Sequence, residues 1–121
     1  LVWIDFQDAL LGPRVYDLVA LLNDSYQSFD RSFVEARLDE YSEHHGLDAV
    51  GREAVGREFD TVTVQRKLKD AGRFVFIDRV RGNPAFLGFV EPTIEKVFGA
   101  LERLDGDPTL DRLHALSRRL L

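Results

Sequence analysis

The sequence predicts a mainly α-helical fold led by one short β-strand, and three observations predict it. Apolar residues recur at helical spacing through most of the chain. One run alone, Leu1-Val2-Trp3-Ile4, is apolar, β-favouring and closed by an acidic residue. Proline and glycine punctuate the remainder where helices start and stop.

Taken in order, the Leu1–Ile4 strand cannot satisfy its own backbone, and no later run is strong enough to pair with it. Its partner is expected upstream, which makes the chain a piece of a longer protein. Gly12-Pro13 opens a helix with proline at the first helical position, and Val15, Leu18, Val19 and Leu22 form its core face. At about 100° per residue, Asp17 and Asp24 fall together opposite that stripe. Asp30 caps a second helix, with Phe29 and Val34 placed as a hydrophobic staple. This helix runs through Leu38 and Tyr41 and stops at Gly46 after His44-His45. Asp48 caps a further short helix bearing Gly51 and Gly56. From Asp60 a longer helix runs to about Arg81, packed through Val62, Leu68, Ala71, Gly72 and Val75. The interior Gly72 implies close approach of another element, and Gly82-Asn83-Pro84 ends the helix. Pro84 and Pro92 begin two more pieces, the second with the stripe Ile94, Val97, Phe98 and Leu101. Asp105-Gly106 breaks it, and Asp107-Pro108 starts a last helix with Leu110, Leu113, Leu116 and Leu120 inward. One domain over residues 1–121 follows, as no linker divides the chain.

Composition narrows the function. A chain of 121 residues with 45% hydrophobic and 31% charged residues can bury a core without staples. A net charge of −5 disfavours nucleic acid as the main partner. The absence of cysteine removes disulfides, thiolate zinc sites and cysteine nucleophiles. No apolar run is long enough to span a bilayer and no signal segment stands at the start, so a cytoplasmic protein with no membrane partner is expected.

The chemistry centres on Asp5, an acidic residue at the C-terminal end of a predicted strand, where ligands gather in sheet-containing folds. Its carboxylate suits a hard cation such as Mg2+. By spacing alone it equally suits the cap of a turn. Asp8 has the same two readings. Arg66, Lys69 and Arg73 lie three and four residues apart and form one basic edge, ordinarily a solvated face. His44-His45 cannot share one metal, because adjacent helical side chains diverge. Trp3 and the phenylalanines read as core.

Ile4-Asp5-Phe6-Gln7-Asp8-Ala9, then Gly12-Pro13, then Tyr16-Asp17-Leu18, resembles a segment of the aminoglycoside phosphotransferases and choline kinases. Those enzymes have a protein-kinase-like fold, and the segment corresponds to the kinase Asp-Phe-Gly. The resemblance implies that Asp5 binds the Mg2+ bridging the ATP phosphates, and that Asp17 supports the site structurally. The form Asp-Phe-Gln-Asp-Ala, with Gln65-Arg66, Leu68-Lys69 and Gly72 downstream, is similar to bacterial anomeric kinases for N-acetylmuramate and N-acetylglucosamine. That likeness is clearest over residues 1–26 and 59–76.

The resemblance implies a helical C-terminal lobe that holds a small amino-sugar acceptor, with Asp24, Asp8, Arg66 and Lys69 as candidate substrate contacts. Against this, Asp24 also reads as a solvated surface aspartate. The chain has no nucleotide-cradling glycine loop and no His-x-Asp loop. The catalytic base, the N-lobe and most of the ATP site are therefore expected upstream, and this segment alone is expected to be inactive. Aminoglycoside or choline acceptors, and a non-catalytic helical binding module, remain as alternatives.

Overall fold

The computed structural model describes residues 10–120. The predicted strand, Trp3, Asp5 and Asp8 lie outside the described residues. Within them every regular element is helical: α1 Tyr16–Leu22, α2 Arg31–His44, α3 Ala49–Arg81, a 3-10 segment Pro84–Phe89, α4 Val90–Arg103 and α5 Pro108–Leu120.

The spine is α3, a single helix of 33 residues and about 50 Å. The Asp48 carboxylate caps it by accepting from Gly51 N–H at 2.8 Å. The two helices expected on either side of Asp60 are thus one. No proline falls between Ala49 and Arg81, and the buried positions Val55, Phe59, Thr63, Val64 and Lys67 run straight through the expected break. Packing along that face outweighs the roughly 1 kcal/mol that each interior glycine costs. The end is as expected. Gly82 takes φ +63° and donates to Asp78 O at 2.8 Å, a left-handed stop that a side chain would resist.

Two apolar clusters form on opposite flanks of α3. Val15 and Val19 of the α1 region, Val34 and Leu38 of α2, and Val55 and Phe59 of α3 make the first, with Leu18 and Leu22 packed against it. Val64 of α3 and Val97, Ala100, Leu101 and Leu104 from the α4 region make the second, joined by Leu110 and Leu113 of α5. Phe59 and Val64 are five residues apart, about 140° around the helix, so α3 faces both. The Arg14 guanidinium forks onto Glu58 at 2.8 and 2.9 Å and ties the approach to α1 onto α3.

Several expected details differ. Pro13 lies before α1, whose first turn is closed by Tyr16 N–H donating to Pro13 O at 3.0 Å. Phe29 stacks on Phe33 at 5.1 Å while Val34 enters the core. Gly72 is exposed, and a Cβ there would meet nothing within 4 Å, so no element among the described residues approaches it. Pro92 sits inside the first turn of α4, which begins at Val90. Leu116 is 44% exposed because Ser117 takes the inward position beside Leu110 and Leu113. The side chain of Leu120 lies outside the described residues.

Candidate functional site

The loop from Asn23 to Asp30 joins α1 to α2, and most of its first half is held by side chains from α3 and α4. Asn23 Nδ2 donates to Thr63 Oγ1 at 3.2 Å. Asp24 Oδ1 accepts from Tyr26 N–H at 2.9 Å, an Asx turn. Buried Ser25 receives a hydrogen bond from Lys67 Nζ at 2.9 Å, and Lys67 also meets Asp70 Oδ2 at 3.0 Å. From the other side, Lys96 Nζ of α4 donates to the carbonyls of Asp24 and Gln27. The Tyr26 ring packs edge-on against Phe89 at 4.9 Å. Thr63, Lys67 and Asp70 stand three and four residues apart, so one face of α3 reaches the loop.

These anchors set the titration of two groups. Burial alone would raise the Asp70 carboxyl, but the hydrogen bond and charge of Lys67, with Lys69 and Ser25, hold it below the usual carboxylate range. Burial, reinforced by the charge of Lys67, lowers the Lys96 ammonium, and Asp24 partly opposes this.

Between the anchored loop, the start of α2 and the flank of α4 lies a cleft of about 630 Å3, a volume typical of small-molecule sites. Asn23, Ser25, Gln27 and Ser28 line it from the loop, and Glu91, Glu95, Lys96 and Arg103 from α4. Phe29, Val34, Phe59 and Pro92 add apolar wall. Behind it sits Asp60, 3% exposed in the middle of α3. Arg103 forks onto its carboxylate at 2.8 and 3.0 Å, and Arg31 meets it at 3.1 Å. A buried carboxylate is retained only when so paired. The residue read as the start of a helix is in fact the anchor for two arginines of the cleft wall. Hydroxyls, two amides and opposite charges in one half-apolar cleft suit a small, highly hydroxylated ligand.

The sequence-predicted site residues are distributed unevenly around this cleft. Asp24 adjoins it but lies beyond the end of α1, so it does not share a helical face with Asp17, which is exposed. Its carboxylate is engaged in the Asx turn. Arg66 does not line the cleft; its guanidinium lies 4.2 Å from the centroid of the Tyr16 ring. Lys69 is exposed and 3.6 Å from Asp70. The basic edge therefore points away from the cleft. Lys67, Lys96, Arg31 and Arg103 were not singled out by the sequence. A signal existed for Lys67, a charge between Val64 and Ala71 on the core stripe. None existed for Asp60 with its arginines, which meet across 29 and 43 residues. Among the described residues no three His, Cys, Asp or Glu side chains gather as a metal site, and no helix is long and apolar enough to cross a membrane.

Residues 2–55 match the phosphotransferase enzyme family. The particular relatives are N-acetylmuramate/N-acetylglucosamine kinases. Those of Pseudomonas putida and Pseudomonas aeruginosa are 37% and 35% identical over 91 residues, 72% of this chain and 27% of each relative. That of Neisseria meningitidis serogroup B is 33% identical over 125 residues, 89% of this chain and 37% of the relative. The chain thus spans about a quarter to a third of the length of these relatives. No solved structure matches it significantly.

Proposed function

We propose that the full-length protein transfers phosphate from ATP to a small amino sugar of the N-acetylmuramate or N-acetylglucosamine type, and that this chain supplies the acceptor-binding helices. The observation that carries the reading is that three relatives, covering 72% to 89% of the chain, bear the same kinase name. The cleft supports it independently, being of sugar size and lined by side chains able to bond hydroxyls and an acetamide.

In this reading Asp5 holds Mg2+, with Asp8 beside it. Mg2+ commonly uses one or two protein carboxylates, so the lack of a three-residue cluster among the described residues is compatible with it. When bound, the ion neutralises charge on the ATP phosphates. Asp17 supports the segment that carries Asp5. The loop from Asn23 to Ser28 and the α4 flank orient the acceptor, which raises the effective concentration of its hydroxyl at the phosphate. Lys67 and Lys96 act by fixing the loop. Asp24 contributes through the shape of its turn, and Arg66 and Lys69 serve α3 and its neighbours more than the sugar. The catalytic base belongs to sequence outside residues 1–121.

The test is phosphate transfer from ATP by the full-length protein across a panel of N-acetylated sugars, aminoglycosides and choline, followed by 31P NMR. Transfer to an N-acetylated amino sugar is expected, falling about a hundredfold or more in Asp5→Asn. Transfer only to another acceptor class, or full activity in Asp5→Asn, contradicts the reading.

A further inference from the structure

We propose that Arg31 and Arg103, seated on Asp60, form an anion subsite of the cleft that reads a carboxylate on the sugar. This rests on the amino-sugar reading above and deepens it. Of the two sugars in the relatives' name, N-acetylmuramate carries a carboxylate on its lactyl ether and N-acetylglucosamine carries none.

Arg31 and Arg103 share the buried Asp60 carboxylate, and the exposed Glu35 meets Arg31 at Nε, 2.8 Å away, so the two guanidiniums are charge-paired from behind and what they can offer a ligand is hydrogen-bond donors. A guanidinium has five N–H groups in a fixed fork. The hydrogen bonds among the described residues use three in Arg31 and two in Arg103. The others have no partner among the described residues, and both arginines line the cleft. Because Asp60 fixes the two planes, the ligand need not bear the entropy of ordering two long side chains.

The α4 wall extends the pattern. Glu91, Glu95, Gly99 and Arg103 recur every four residues and form one row facing the cleft. The row reads carboxylate, carboxylate, notch, guanidinium. At Gly99 a Cβ would stand 3.3 Å from Arg103 Nη1, so the guanidinium lies back along its own helix over the notch and a side chain there would press on it. Glu95 and Arg103 are separated by about 12 Å of helix rise, enough for a sugar ring with its hydroxyls at the acidic end and a carboxylate at the basic end. Lys96 adds positive charge but already donates to two carbonyls. Among the described residues it keeps one N–H, against two on Arg31 and three on Arg103, so the arginines hold most of the unused cationic donors.

The experiment compares kcat/KM for N-acetylmuramate and N-acetylglucosamine in the full-length protein and its Arg31→Gln and Arg103→Gln variants. The ratio of the first sugar to the second is expected to fall about tenfold or more, carried by KM. Because Asp60 must keep a partner, Arg103→Lys is the variant expected to fold in every case, and it should lower the ratio by about threefold while preserving the melting temperature. An unchanged ratio in the folded variants, with both sugars affected alike, overturns the subsite and leaves the arginines as supports of Asp60. Failure of the unmodified protein to phosphorylate either sugar overturns the functional reading itself.

Discussion

Lys67 is 2% exposed, on the core-facing stripe of α3 between Val64 and Ala71, and its ammonium meets Ser25 and Asp70. Removing it takes the buried Ser25 hydroxyl's donor away and leaves the partly buried Asp70 carboxylate with the Ser25 hydroxyl as its remaining hydrogen-bond donor. Lys67→Met should destabilise the fold by about 2–4 kcal/mol, read from the urea midpoint. Asp70 gives the same network a pH signature. Its carboxyl titrates below the ordinary value of 3.8 when folded, so the unfolded chain binds the proton first. Its stabilising contribution is full above that ordinary value and disappears as pH falls through the lowered one. The stability gap between the unmodified protein and Asp70→Asn should accordingly stay constant near neutrality and close only in strong acid, measured by denaturant unfolding at stepped pH. At this scale the sequence was partly legible. Val15, Val19, Val97 and Leu101 declared themselves core by period, and are buried. Lys67 did not, because a lone charge on an apolar stripe does not announce the Ser25 and Asp70 partners that bury it.

Helix ends were more legible than helix continuity. Asp48, Gly46, Gly82 and Gly106 act where their chemistry predicts, since a cap depends on a few adjacent residues. The union of two expected helices into α3 depends instead on α1, α2 and α4 packing along its whole length, which local propensity does not encode. Gly72 illustrates the difference. Its exposure and empty surroundings mean that a methyl group there costs nothing in packing. Gly72→Ala should stabilise the protein by about 0.5–1 kcal/mol through helix propensity, visible as a raised melting temperature. A loss of stability would mean that α3 meets a neighbour at this point in the full-length protein. Phe59, at the centre of the first cluster and on the cleft wall, is the opposite case. Phe59→Ala should cost about 3–5 kcal/mol by calorimetry or denaturant unfolding.

For the whole molecule, a helical array was legible and its cleft was not. The cleft joins residues 23–34 to residues 91–103 across α3, and pairings of that range leave no periodic trace in a single sequence. The motif around Asp5 spoke only through its resemblance to phosphotransferases, and it falls outside the described residues. What the fold adds is a cleft, held by two lysines on one side and a doubly paired Asp60 on the other. Ser28 lines this cleft, is exposed, and makes no hydrogen bond among the described residues that a substitution would break. Steady-state kinetics of Ser28→Trp in the full-length protein therefore test the central claim most directly. The bulky ring should raise KM for the amino sugar about tenfold or more while leaving KM for ATP within about twofold. An unchanged sugar KM in a folded, active variant would contradict the cleft as the acceptor site.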